Sequence, residues 1–265
     1  MKINLPLEMK KLFVVGFYLL LFCQISVAQK NIKPLISSYN FRNNSDFWES
    51  VGNGICNFEA DVMYIYGKNY VTALMPDSAN HKLPTLSEAY LYPLYNQFKK
   101  NNGEIIPGFQ GEVLLILNFA FQPVQSYKQL AAEIRPFQEM LYTADRKGKL
   151  RILIKDKAAL EIINSIKPGF LGLVGSLSDV EKNVDSEKMP VIELNFTELT
   201  GWKGTGNIPF EDFVRIKDLV AKIHAQKKKV ILTNTPVYKT VSEFVKTSGI
   251  DFLVTNDPMR MTAFF

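Results

Sequence analysis

Chemistry in this 265-residue chain centres on two carboxylates, Glu59 and Asp61, in the stretch Asn57-Phe58-Glu59-Ala60-Asp61-Val62-Met63-Tyr64. In an extended strand side chains alternate, so Glu59 and Asp61 share one face while Phe58, Ala60 and Val62 share the other. Burying two carboxylates on one face of an otherwise apolar strand is costly unless a cation or hydrogen-bond donors meet them. The pair points to a metal ion or a strongly basic ligand. Pairing with Lys155 or with backbone donors is the structural alternative. Imidazole chemistry has little to draw on, because the chain holds two histidines, His81 and His224.

The elements that position this pair follow a repeating order of short apolar strand and amphipathic helix. Strands are predicted at Pro34–Tyr39, Cys56–Tyr64, Glu112–Phe119, Leu150–Lys155, Phe170–Ser176, Pro190–Phe196, Val230–Thr233 and Asp251–Thr255. Helical patterns fall at Thr85–Lys99, Ser126–Arg146, Lys157–Ile166, Pro209–Gln226 and Val237–Thr247. Their apolar residues return every three or four positions, as in Phe213, Ile216, Leu219, Val220 and Ile223. The turn at Tyr66-Gly67-Lys68-Asn69 leads to a small extra strand, Tyr70–Leu74. Eight strands separated by helices predict a parallel sheet, and eight is the number that closes a (β/α)8 TIM-type barrel. An open doubly wound sheet is the alternative, weakened because no glycine-rich dinucleotide loop follows the first strand.

In such a barrel ligands meet the C-terminal ends of the strands and the loops after them. Reading those tips gives Glu59 and Asp61, Asn118, Lys155 and Asp156, Ser176, Asn195, Asn234, and Asn256 with Asp257.

Before the fold comes a leader. Lys2, Lys10 and Lys11 precede an apolar run from Leu12 to Phe22, and Ser26-Val27-Ala28 supplies small residues for cleavage after Ala28. The expectation is a signal peptide over 1–28, a barrel domain over 29–265, and export to a periplasmic or extracellular location, with a lipoprotein signal using Cys23 and an uncleaved anchor as the rival readings. The run is too short to cross a hydrocarbon core of about 30 Å, so no membrane span remains after cleavage. Cys23 leaves with the leader, and Cys56 alone forms no internal disulfide. Loss of three lysines and Glu8 takes the net charge from +5 to +3. That mild excess gives no nucleic-acid signal, and the run Lys227-Lys228-Lys229 is read as a solvated helix end.

Three ordered stretches carry a resemblance. The first is Asn57–Val62 followed by Leu83-Pro84-Thr85-Leu86-Ser87-Glu88-Ala89-Tyr90-Leu91-Tyr92-Pro93-Leu94. The second runs from Met189-Pro190 through the loop Trp202-Lys203-Gly204-Thr205-Gly206-Asn207-Ile208-Pro209. The third runs from Leu219 to His224, through Thr235-Pro236, to Gly249-Ile250-Asp251-Phe252-Leu253-Val254-Thr255-Asn256-Asp257. Together they resemble the phosphatidylinositol-phospholipase-C-like and glycerophosphodiesterase-like phosphodiesterase superfamily. Within it, they are most similar to the group named after a yeast protein of altered mitochondrial inheritance. The resemblance implies a barrel that cleaves phosphodiesters with two histidines as acid and base, many members holding Ca²⁺ or Mg²⁺ on carboxylates.

Matched residue by residue, Glu59 and Asp61 take the first two metal-ligand positions. The third carboxylate falls on Asn118 and a lysine two places on falls on Ala120. Asparagine offers a carbonyl oxygen without charge, which weakens affinity for a hard cation. The family's histidines fall near Ser38 and Leu74, so both are substituted, and His81, in the loop Pro76–Lys82, is the candidate substitute. His224, on an outer helix, is not. Arg42, Lys155, Asn195, Trp202 and Asn256 are candidates for a phosphate-binding pocket. The expectation is a phosphoric diester hydrolase-like barrel of the lipid or glycerophosphodiester class. It is degenerate in its acid–base pair and keeps a pocket for a cation or a small phosphorylated ligand. Two alternatives stay open: an active metal-dependent phosphodiesterase using His81 or Asp77 as acid, and a non-enzymatic binding module of the cell envelope.

Overall fold

A computed structural model describes residues 32–41, 43–75, 83–143, 145–155 and 170–265. Among these, one sheet contains β1 (Leu35–Ser37), β2 (Asn57–Ile65), β3 (Lys68–Val71), β4 (Val113–Phe121) and β5 (Leu150–Ile154). It continues with β6 (Leu171–Ser176), β7 (Val191–Asn195), β8 (Lys229–Thr233) and β9 (Phe252–Thr255). The order is β1-β9-β8-β7-β6-β5-β4-β2-β3, and β1 also pairs with β2. That last pairing, Ile36 with Asn57 and Ser37 with Phe58, closes eight parallel strands into a ring. β3 lies outside it as an antiparallel partner of β2. The closed (β/α)8 barrel expected from the strand count is the observed fold, and the open sheet is excluded.

Alternation along each strand divides the apolar residues between two cores. Ile36, Leu114, Ile116, Leu153, Val174, Val191 and Ile231 pack together in one buried cluster, the barrel interior. Their neighbours in sequence, including Leu35, Leu115, Leu117, Ile152, Ile154, Ile192 and Val230, join a larger cluster beneath the surrounding helices. Two positions further along, the interior series turns polar: Asn118 follows Ile116, Lys155 follows Leu153, Glu193 follows Val191 and Thr233 follows Ile231. The chain thus fills the barrel with branched apolar side chains and changes character only at the C-terminal mouth.

Helix boundaries depart from the sequence expectation in places. The helix expected over Ser126–Arg146 begins earlier, at Pro123, and ends at Glu133. A 3₁₀ segment, Arg135–Met140, follows it. Pro136 explains the break, since it has no N–H and disfavours helical geometry at Arg135. The extra strand is Lys68–Val71 rather than Tyr70–Leu74, because the tight turn uses only Tyr66 and Gly67, both at positive φ. The helices Asn44–Gly52, Phe196–Leu199 and Pro258–Thr262 carry too little periodicity to stand out, and each begins at an asparagine or aspartate cap. Lys228 corrects the expected solvated run: it is buried, with its ammonium donating to Gln226 at 2.8 Å. The expected leader and the helix Lys157–Ile166 lie outside the described residues. No helix among those described is long and apolar enough to cross a membrane.

Candidate functional site

The mouth is built from strand tips. Glu59 of β2, Lys155 just after β5 and Glu193 of β7 meet across it. The Lys155 ammonium donates to Glu59 Oε1 at 3.1 Å and lies 2.7 Å from Glu193 Oε2. The second contact is the shorter of the two, an ion pair across the mouth. Glu59 Oε2 is buried with no hydrogen-bond partner among the described residues. Burial pushes the Glu59 carboxyl above its usual range, and the pull of Lys155 offsets only part of this. For Lys155 burial acts to lower the pKa, but Glu59 and Glu193 together outweigh it and hold the ammonium above its ordinary value.

Asp61 has different company. Asn118 of β4 donates its amide to Asp61 Oδ1 at 2.8 Å. Asn40 donates to Oδ2 at 3.0 Å and accepts the Asp61 backbone N–H at 2.9 Å. Asn40 reaches there because Phe41, next in sequence, is locked by edge contacts with Phe47, Phe58 and Tyr90 at 5.4, 5.9 and 6.2 Å. The parallel register that sets Asp61 beside Asn118 supplies the other donor.

Beside these groups opens a cleft of about 680 Å³. Its lining carries hydroxyls and amides from Ser38, Thr200, Thr233, Asn234, Thr235 and Asn256, with the cations Lys155 and Lys203 and walls of Phe196 and Trp202. Thr235 Oγ1 is buried there without a described partner. Asn234 takes positive φ at the end of β8, a conformation asparagine tolerates better than most residues. Trp202 is fixed from several sides: its indole N–H donates to the Thr205 carbonyl at 2.8 Å, and its ring packs on Phe196 and Phe244 at 5.9 and 5.8 Å.

The expected site residues divide accordingly. Glu59, Asp61, Asn118, Lys155, Trp202, Asn256 and Ser38 converge at or beside the mouth. Asn195 lies instead in an adjoining cavity of about 620 Å³. There its side chain caps Phe196–Leu199, accepting from the Thr197 N–H and donating to Glu198. Leu74 is exposed and away from the cleft lining. His224 lies on the outer helix Phe210–Ala225 and pairs with Asp251 at 2.8 Å. Arg42, Asp77 and His81 lie outside the described residues. Sequence reasoning passed over Glu193 and Asn40. Glu193 carried a signal, being the charged residue on the inward face of the predicted strand Pro190–Phe196. Asn40 carried none, since its role depends on the aromatic anchor behind it.

A hard divalent cation needs several oxygens with free lone pairs turned towards one point. Both Asp61 oxygens here face amide hydrogens, and an ammonium already stands against Glu59 and Glu193. Among the described residues no group of three histidine, cysteine, aspartate or glutamate side chains has the spacing to hold a metal. As they are paired, the described side chains at the mouth do not fit a divalent cation.

The barrel aligns with a solved glycerophosphodiester phosphodiesterase from Agrobacterium tumefaciens over 87% of this chain and 100% of that one, with a TM-score of 0.52 at 12% identity. The two share a fold. A second structure from the same organism, described as a putative glycerophosphoryl diester phosphodiesterase, covers 86% of this chain and 96% of its own at 9% identity, with a TM-score of 0.45. No protein-family model and no curated protein matches the chain in sequence. Likeness at 12% identity shows the barrel fold alone and leaves the chemistry of the mouth to its own residues.

Proposed function

We propose that this protein is a phosphodiesterase-type barrel whose mouth binds a small, hydroxyl-rich phosphorylated molecule with little or no hydrolysis. One observation carries the reading: the carboxylates at the mouth are committed to Lys155 and to two asparagine amides, and no described imidazole stands beside them. Phosphodiester cleavage asks for an acid to protonate the leaving oxygen and a base for the nucleophile, help worth about 10²–10⁴-fold in rate. Ser38 and Leu74, where the resemblance expects histidines, supply neither. Recognition has better support. A cleft lined by hydroxyls and side-chain amides suits a polyol, and Lys203 has no ion-pair partner among the described residues, so it can meet a phosphate. The likeness to the altered-inheritance group and export behind a cleaved leader belong to the same reading.

The test uses glycerol 3-phosphate for binding and bis(p-nitrophenyl) phosphate for turnover. At 10 mM glycerol 3-phosphate the wild type should gain about 2–4 °C in Tm, as expected for a millimolar site in a chain of this size. Lys203→Ala, at an exposed position, should lose most of that gain. Hydrolysis should stay near the buffer rate. Turnover well above background that His81→Ala or Asp77→Ala abolishes would instead establish an active enzyme. Absence of any Tm gain would remove the binding reading.

A further inference from the structure

We infer that the Lys155 ammonium occupies the place of a divalent cation at the barrel mouth, so that the wild type is indifferent to Ca²⁺ and Mg²⁺ and loss of Lys155 creates a cation site. The inference goes beyond ligand recognition and holds whether or not the cleft takes a phosphorylated molecule.

Geometry is the first support. Lys155 Nζ lies between two carboxylates carried by strands on different sides of the barrel, 3.1 Å from Glu59 Oε1 and 2.7 Å from Glu193 Oε2. These oxygens therefore stand at most about 6 Å apart. Oxygens on opposite sides of a Ca²⁺ ion, at its usual 2.3–2.6 Å, are separated by about 5 Å. The ammonium thus holds the two carboxylates within about the reach of one hard cation.

An unsatisfied oxygen is the second. An ammonium offers three directed hydrogens, yet Glu59 Oε2 is buried without a hydrogen-bond partner among the described residues. Lys155 brings one positive charge to two carboxylates and offsets only part of theirs. A spherical cation has no directional demand and could use the lone pairs that Lys155 leaves. Charge is the third. Without the ammonium two partly buried carboxylates would face each other uncompensated, a state that favours uptake of a cation from solution. Thr233 and Asn234 line the same space and add neutral oxygens.

The experiment follows thermal unfolding of the full chain after chelation, with and without 10 mM CaCl₂ or MgCl₂. Wild type and Lys155→Arg should shift by less than 1 °C. Lys155→Ala should melt lower than wild type in chelator and recover about 3–5 °C with Ca²⁺, as a millimolar site would give. Lys155→Ala/Glu59→Gln/Glu193→Gln should show no such recovery, which assigns the ion to the two carboxylates. A Lys155→Ala chain that folds only with Ca²⁺ supports the inference equally. Wild-type stabilisation by either ion that Glu59→Gln removes would overturn it. A Lys155→Ala chain that neither ion stabilises or rescues, beside a folded triple variant, would overturn it too. None of these outcomes depends on glycerol 3-phosphate, so the two proposals fail separately.

Discussion

Glu59 shows how one side chain feels the whole mouth. Its carboxyl is removed from water on an apolar strand, and the lysine that meets it on one oxygen leaves the other without a hydrogen-bond partner among the described residues. Burial wins over attraction, so the folded state keeps the Glu59 proton to a higher pH than the unfolded chain does. Between the ordinary value of 4.5 and that raised value the native state binds more protons than the unfolded one. Stability from this group is therefore greatest at low pH and is lost as the pH rises through the window. Glu59→Gln cannot ionise, so its unfolding free energy should fall less steeply than that of wild type as the pH rises from 4.5. Urea unfolding of both proteins at several pH values up to 7 checks this, and parallel curves would show that Glu59 is not held in that state. The carboxylate pair was legible in the sequence because strand alternation alone puts Glu59 and Asp61 on one face. That they take different partners was not, since Asn40 and Glu193 arrive from segments whose register only the closed barrel sets.

Among the elements, the loop from Thr200 to Pro209 does most to shape the cleft. Its tryptophan was legible in the sequence as a candidate for the pocket, and Trp202 both walls the cleft and packs on Phe196 and Phe244. The backbone turn that permits this uses Gly204 at φ +82, where an added Cβ would stand 2.6 Å from Pro236 Cγ and 2.9 Å from Val241 Cγ2. A proline ring cannot swing aside, so Gly204→Ala combines left-handed strain with overpacking, together costing about 2–4 kcal/mol. The variant should melt lower. Its tryptophan emission should also shift to the red as Trp202 leaves Phe196 and Phe244, whereas Gly206→Ala, with open space around its Cβ, should leave the emission near wild type. Elsewhere, periodicity placed the long helix Phe210–Ala225 almost to the residue, because one apolar stripe defines it. It overran the helix that begins at Pro123, where Pro136 outweighs the pattern. It passed over the three short capped helices, whose stability comes from their docking.

At the scale of the whole molecule, function depends on the ring staying shut, and the shortest strand closes it. β1 has three residues, yet it pairs with β9 on one side and β2 on the other. Its contribution to the interior is Ile36, fully buried in the cluster with Leu114, Ile116, Leu153, Val174, Val191 and Ile231. Ile231 is equally buried but belongs to the longer strand β8, of five residues. Truncating either to alanine should cost about 2–5 kcal/mol through lost burial and the void left behind. Their effects on the mouth should differ. Ser38 and Asn40 follow β1 directly, and Asn40 supplies two of the hydrogen bonds that orient Asp61. Loosening β1 therefore carries from the seam to the site, while β8 is held along its whole length by its pairing with β7 and keeps its place when Ile231 is truncated. Ile36→Ala should lose most of the Tm gain from glycerol 3-phosphate, and Ile231→Ala should keep it at a comparable loss of stability in urea. Equal retention in both would mean that the mouth is held by its loops and not by closure of the ring.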